Sequence, residues 1–418
     1  MKASAWRTEP RRMLRGPDRS ARRGTGRGFL EPRGNVQGGR TVFRRSFTVA
    51  ATAIAAAVAL APTAQADPPH RRPDPAVLQR DLQDMVATEG AVAARVTDGQ
   101  RTWSGRAGAA DPATGEPVAR GARFRVGSTT KALVATVMLQ LQAERRVDLG
   151  ARVDRYLPGL LPGRHDLTVR RLLNHTSRLK SHDHFLHPNP TIEETMNVHR
   201  WHTYTPRELV AVAVNAGYLD KDEYFYSNTN YVIAGMIIEK VTGRSYAREA
   251  ERRILRPLGL RDTYFPGTSP YIRGPHTQMF AKVPGYPPFN VTEWNQSYAG
   301  ASGELISTSA DLVRFNTALL GGRLLPPAQM RQMTTLVATD EDKRYGLGLE
   351  VTTASRCGVE LWGHNGSVPG GIAFMAGTRD NRTQVALTLT PGDGRPSKPQ
   401  QVALFKFIDD AFCGTAKR

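Results

Sequence analysis

The sequence predicts an α/β fold in which an antiparallel sheet, assembled from N- and C-terminal segments and flanked by helices, carries an inserted, mostly helical region. Three observations carry this expectation. Strand-like patterns occur near residues 90–108 and return from residue 345 onward. The stretch between them, 150–330, consists mostly of helical segments broken by Pro- and Gly-rich loops. The 418-residue chain is 40% hydrophobic, enough for one large or two medium domains with a real core. That composition excludes collagen-like, low-complexity and wholly disordered chains. The expected segmentation is a disordered and signal region over 1–66, a sheet domain from 67–127 plus 340–418, and a mostly helical domain over 128–339.

Taken in order, residues 1–43 are rich in Arg, Gly and Pro with little periodicity, and read as disorder. Arg44-Arg45 then precede a small-residue apolar run from Ala50 to Ala61, and Ala64-Gln65-Ala66 offers the small residues a signal peptidase needs. Adjacent arginines before such a run resemble a twin-arginine export signal, which is an address and not an anchor. The run is shorter than the ~20 residues of a spanning helix and is mostly Ala, so no stable membrane span is expected. The expectation is an exported protein cleaved after Ala66. The formal charge is +19, but residues 1–66 hold 13 of the Lys and Arg against three acids, about half of the excess. Arg outnumbers Lys by 47 to 10, as GC-rich coding produces, and no recognition motif accompanies the charge. Nucleic acid is therefore not an expected partner.

Val77, Leu78, Leu82 and Val86 mark a first amphipathic helix over 73–86. Residues 90–108 read as two strands turning at Thr97-Asp98-Gly99-Gln100. Leu133, Val134, Val137, Met138 and Leu141 form one stripe, so a long buried helix is expected to start near residue 128. Strand patterns return at Tyr345–Val351, Val359–Gly363, Gly371–Thr378 and Arg382–Thr390, the last pair joined by a hairpin at Arg379-Asp380-Asn381. A final helix is expected over 399–412. Two cysteines, Cys357 and Cys413, lie in the exported part; an oxidising compartment makes one disulfide the natural reading, with two unlinked core thiols as the alternative.

Three short motifs could carry chemistry. Ser128-Thr129-Thr130-Lys131 opens the strongest helix, where the dipole and free N–H groups favour negative charge developing on Ser128, and Lys131 lies one turn on along the same face. A second match, Ser177-Arg178-Leu179-Lys180, leads instead into a polar loop containing His and Pro. Tyr226-Ser227-Asn228 sits on a loop entering an apolar helix; a tyrosine near an ammonium can have its phenol pKa lowered and shuttle a proton, and Asn228 can bond a substrate amide. His364-Asn365-Gly366-Ser367 ends a strand pattern, where Gly366 lets an edge backbone approach a ligand. Taken singly, a capping serine, a loop tyrosine and a structural histidine explain each as well.

Together, in that order on helix, loop and strand, the motifs resemble the serine β-lactamase and penicillin-recognising enzymes, in particular class C β-lactamases and exported actinomycete D-alanyl-D-alanine carboxypeptidases. The resemblance runs from residue 75 to the C-terminus and includes Val126–Lys131, Tyr156–Pro162, Leu172–Ser177, Tyr226–Asn230, Gly235–Lys240 and Tyr345–Leu349. It implies a β-lactamase/transpeptidase-like fold and an acyl-enzyme at Ser128, with Lys131 and Tyr226 sharing the general-base role. It further implies an oxyanion hole from the N–H groups of Ser128 and Ser367, electrostatic support of Tyr226 by His364, and a Cys357–Cys413 disulfide. No metal or organic cofactor is implied. The expected substrate is a small peptide or ester, cell-wall peptide among the candidates, cleaved by a D-alanyl-D-alanine carboxypeptidase-like activity. A carboxylesterase or D-amino-acid amidase of the same family is the alternative.

Departures from the family pattern bear on the substrate. Glu350 stands where those carboxypeptidases hold a carboxylate-binding Arg, and Asn365 where they hold Thr. Arg178 replaces the usual Gly after His-Thr-Ser, and Tyr298 replaces a Trp that walls the pocket. If Glu350 points into the cleft, free-carboxylate recognition weakens unless Arg356 or a charged His364 substitutes. His182, Asp183, His184, His187, His199 and His202 fit a mobile polar lid over the cleft better than a zinc hydrolase, because the helical His-Glu-x-x-His geometry is missing.

Overall fold

The first strand, β1 (Ala91–Asp98), pairs antiparallel with two partners at once, the neighbouring β2 (Arg101–Asp111) and a strand from near the C-terminus. This pairing closes the sheet across nearly the whole sequence. The structure is a computed structural model that describes residues 72–414, apart from 100, 188, 189, 222, 284 and 340–342. The signal-region expectations over 1–66 lie outside the described residues. The further strands are β3 (Glu116–Pro117), β4 (Val337–Ala338), β5 (Arg344–Tyr345), β6 (Glu350–Thr353), β7 (Glu360–Val368), β8 (Gly371–Thr378) and β9 (Thr383–Thr390). They form one nine-stranded antiparallel sheet in the order β3-β2-β1-β9-β8-β7-β6-β5-β4. Every residue of β9 is buried, as expected of a central strand covered on both faces.

One face of the sheet packs on α1 (Pro75–Met85) and the last helix, Lys398–Cys413, through Leu78, Leu82, Phe374, Leu387 and Phe407. Asp74 caps α1 and Pro75 occupies its first turn, which sets its start. Lys406 bridges the two helices by pairing with both Asp81 and Asp410. Cys357 and Cys413 form a disulfide with a Cα–Cα distance of 5.7 Å, tying the end of the last helix to the loop between β6 and β7.

The other face carries the helical region: α2 (Thr130–Ala143), α3 (Asn228–Thr242) and α4 (Ser309–Leu320) share one core with the sheet. The last helix is accordingly α5. The stripe read from the sequence understates α2, since 11 of its 14 residues are buried and it is enclosed on nearly all sides. Among the described residues no helix is long and apolar enough to cross a membrane.

Two sequence expectations are corrected. The strand expected to stop at Gly363 continues through His364-Asn365-Gly366-Ser367 to Val368. Its polar residues break the apolar pattern because this half of β7 has β8 on one side and the cleft on the other; β6 reaches only to Gly363. The strand expected over 345–351 divides into β5 and β6, with a turn at Gly346–Leu349 between them.

Candidate active site

The nucleophile candidate sits on a single tight turn, Gly127–Thr129, that feeds directly into α2. Gly127 has φ 51°, a left-handed conformation natural to glycine, and its Cα lies against the Ser367 backbone, so an added Cβ would meet Ser367 O at 2.6 Å. Gly366 serves the same closeness from the other side: a Cβ there would lie 1.9 Å from Val126 O and 3.1 Å from Ser128 N. Two residues without side chains thus bring the Ser128 turn and the β7 backbone into contact. That contact sets the Ser128 and Ser367 amides beside one another.

Lys131, one turn beyond Ser128, is fully buried, and its Nζ faces three oxygens: Ser128 Oγ at 2.9 Å, Asn228 Oδ1 at 2.7 Å and the Ser302 carbonyl at 2.8 Å. Burial brings its pKa from 10.5 down to about 7, against the opposing pull of Asp183 and Glu350. A neutral amine suits these partners. Its two N–H bonds go to the Asn228 and Ser302 carbonyl oxygens, which can only accept, and its lone pair is left for the Ser128 hydroxyl proton.

Tyr226 completes the group, hydrogen-bonded to Ser128, with Lys131 Nζ 4.8 Å from its ring centroid. The expected lowering of its phenol pKa does not occur. Burial and the Glu350 carboxylate push it well above its ordinary value, so the phenol stays protonated at neutral pH. Asn228 opens α3, and its N–H donates to Ser181 Oγ at 2.8 Å.

Sequence reasoning gave no role to His175, which lies under this site. Its ring packs at a tilt of 32° against Tyr226 with centroids 4.3 Å apart, and Tyr231 and Tyr345 flank it at 5.4 and 4.8 Å. Nδ1 accepts from Ser227 N and Asn230 Nδ2, both at 3.1 Å, while buried Nε2 has no hydrogen-bond partner among the described residues. Burial and the nearby Lys131 and His364 keep the ring neutral. Its φ is 59° and that of Arg178 is 66°, two non-glycine residues in the left-handed region within one short loop. The only sequence signal was the Arg in place of Gly at 178. Nearby, Ser177 is buried and donates to Asn230 Oδ1 at 2.6 Å, so the second Ser-x-x-Lys match is part of the scaffold.

His364 does not support Tyr226 as expected. It is buried, its Nδ1–H donates to the Asn365 carbonyl at 2.6 Å, and its Nε2 faces Tyr345 Oη at 2.9 Å. Burial lowers its pKa despite Glu350 at 3.9 Å, which leaves a neutral imidazole. Glu350 does point into the cleft, where it accepts from Asn365 N at 3.3 Å. Arg356 is no substitute cation, because it binds Asp410 at 2.6 Å and the Asp409 carbonyl at 2.8 Å beside the disulfide.

Two cavities meet at Ser128. The first, about 590 Å³, is lined by Asp183, Asn228, Tyr298, Ser302 and Ser367, with Lys282 and Arg395 at its exposed margin. Burial pushes Asp183 up, but hydrogen bonds from Ser181 and Asn228 and the adjacent His182 and His184 hold it below the usual carboxylate range. With its side chain 30% exposed, it presents a negative charge to the cavity. The other histidines of this segment disperse: His182 packs between Thr229 and the Tyr298 carbonyl, and His187 stacks on His199. Among the described residues no three His, Cys, Asp or Glu side chains converge as a metal site. The second cavity, on the other side of Ser128, contains Tyr224, Tyr345, Glu350 and Asn365.

The family model described as Beta-lactamase matches residues 78–404. A putative penicillin-binding protein, PbpX, of Bacillus subtilis (strain 168) is 26% identical over 270 residues, covering 63% of this chain and 61% of its own. A putative D-alanyl-D-alanine carboxypeptidase of Escherichia coli (strain K12) is 26% identical over 290 residues, covering 59% of this chain and 64% of its own. The chain therefore spans about six tenths of the length of these curated relatives. Among solved structures, the D-stereospecific amidohydrolase from Streptomyces sp. is 40% identical with a TM-score of 0.73, covering 82% of this chain and 100% of that one. The D-amino acid amidase from Ochrobactrum anthropi SV3 is 27% identical with a TM-score of 0.71, covering 80% and 97%.

Proposed function

The chain belongs to the Beta-lactamase family of serine hydrolases, and from that premise we propose that it opens amides and esters of D-amino acids through an acyl-enzyme at Ser128. The observation that carries the substrate reading is the charge of the cleft. Asp183 and Glu350 line the two cavities that meet at Ser128, whereas Arg356 is tied up elsewhere and His364 is neutral. A carboxylate beside the nucleophile suits the α-ammonium of an unblocked aminoacyl group, and the likeness to the Streptomyces amidohydrolase supports the same class.

In the proposed reaction Ser128 Oγ attacks the carbonyl carbon and passes its proton to Lys131 Nζ. The carbonyl oxygen gains charge toward the Ser128 and Ser367 amides. Collapse breaks the bond to the leaving nitrogen or oxygen, which takes a proton relayed through the Tyr226 hydroxyl from Lys131. Water then attacks the ester on Ser128, again giving its proton to Lys131; collapse breaks the bond to Ser128 Oγ, which takes that proton back from Lys131 Nζ as the free acid leaves. Asn228 orients Lys131 and is within reach of a substrate amide. Tyr298 walls the polar cavity. Export through the Arg44-Arg45 segment belongs to the same proposal, and the disulfide is in keeping with an oxidising destination.

Carboxypeptidase action on D-Ala-D-Ala peptides is the second reading, favoured by Lys282 and Arg395 at the margin of the polar cavity. The test compares kcat/KM for D-phenylalanine amide, its N-acetyl derivative, and a D-Ala-D-Ala peptide as free acid and as methyl ester. Losing a buried charge pair costs about 2–5 kcal/mol, so N-acetylation should lower kcat/KM at least tens-fold, and Asp183→Asn should remove most of that difference. Preference for the blocked peptide as free acid, unimproved by Glu350→Arg, would establish the carboxypeptidase instead.

A further inference from the structure

The amine-binding cavity accounts for one side of the scissile bond and leaves the other side of Ser128 open. There the cleft continues into the second cavity, about 840 Å³, whose walls differ in character. Asn365 and Ser367 of β7 pair with Phe374 and Ile372 of β8, so these four side chains share one face of the sheet. Glu350 is paired with Gly363, two residues before Asn365, and stands on the same face. Leu404 and Phe405 of α5 form the outer wall. Phe405 is 63% exposed, a large aromatic held at solvent rather than in the core behind it.

We propose that this cavity is the leaving-group subsite and that it selects apolar leaving groups over those ending in a carboxylate. The inference rests on the acyl-enzyme reading above. Continuity is its first support: Ser128 and Tyr226 line this cavity as well as the polar one, and a departing atom must pass the Tyr226 hydroxyl to receive its proton. The walls are the second, because Ile372, Phe374, Leu404 and Phe405 offer an apolar path from the nucleophile to solvent. Charge is the third. A carboxylate entering this path meets Glu350 beside a neutral His364. At the outer rim, where Lys343 and Arg344 lie, Arg344 is paired with Glu360.

The experiment is a homologous series of D-phenylalanine esters, methyl to hexyl, in which the basicity of the departing alcohol hardly changes while its apolar length grows. A fully buried methylene contributes about fourfold and a half-covered one roughly twofold, so kcat/KM should rise roughly thirtyfold from methyl to hexyl. The esters share one acyl-enzyme, so kcat should stay level where deacylation limits it. Phe405→Ser, a change at an exposed position, should flatten the slope. A hexyl ester ending in a carboxylate should be at least tenfold poorer than the plain hexyl ester, and Glu350→Gln should narrow that gap. A flat series, or equal turnover of the carboxylate-ended ester, overturns the subsite. Fluorophosphonate labelling of Ser128 tests the underlying reading separately: failure to label sinks the acyl-enzyme, whereas labelling with a flat series sinks this inference alone.

Discussion

Exchanging Tyr226 for Phe, and separately Lys131 for Met, decides which group activates Ser128, because burial shifts the two candidates in opposite directions. Burial lowers Lys131 to about 7 and raises Tyr226 well above its ordinary value. A lysine at 10.5 lowered to about 7 gains roughly 3,000-fold in its neutral fraction at low pH, equivalent to roughly 5 kcal/mol. The sign follows from the amine: below pH 7 it is protonated and has no lone pair for the Ser128 proton, and above pH 7 it is free. Fluorophosphonate carries no titrating group, so its labelling rate between pH 5 and 9 reads this fraction alone. The rate should reach half its plateau at about pH 7 and fall about tenfold per unit below pH 6. Tyr226→Phe should lower the plateau by roughly 10²–10⁴ and keep the midpoint. Glu350→Gln should move the midpoint down, because that carboxylate raises Lys131. A flat profile, or a limb that survives in Lys131→Met and vanishes in Tyr226→Phe, would refute the assignment and make the phenol the base.

His175 should behave as a positioning residue. Asn tolerates its left-handed backbone and offers Oδ1 in place of Nδ1, whereas Phe keeps only the ring, so His175→Asn should retain kcat within a few-fold and His175→Phe lose ten- to a hundredfold, both with an unchanged labelling midpoint. The reverse order would assign the effect to the ring contact with Tyr226. For the disulfide, Cys357→Ala combined with Cys413→Ala removes a cross-link of 56 residues, and chemical denaturation should register a loss of up to about 4 kcal/mol. An unchanged midpoint would mean that the α5 packing alone holds the C-terminus.

What the sequence disclosed, and what it hid, divides along the reach of each interaction. Ser128 and Lys131 were legible because one helical turn joins them, and the periodicity of α2 establishes that turn locally. The β8–β9 hairpin was legible for the same reason, with a run of apolar residues on each side of a turn. The Lys131 environment was not, since two of the three oxygens it faces, those of Asn228 and Ser302, lie 97 and 171 residues away. Its shift and that of Tyr226 come from enclosure by elements no short motif describes, and so the expected direction for Tyr226 was opposite to the one found. Asp183 belonged to a His-rich segment whose composition suggested a lid or metal ligands; hydrogen bonds from Ser181 and the distant Asn228 hold its carboxylate at the cavity that Ser128 also lines. Glu350 is the intermediate case. Its departure from the family pattern was visible in the chain, but its effect depended on whether Arg356 could compensate. The answer lies in Asp410, on α5, which holds the Arg356 guanidinium beside the disulfide. Charge at a cleft is therefore a property of the fold: each ionisable residue must first be asked which partner has already claimed it.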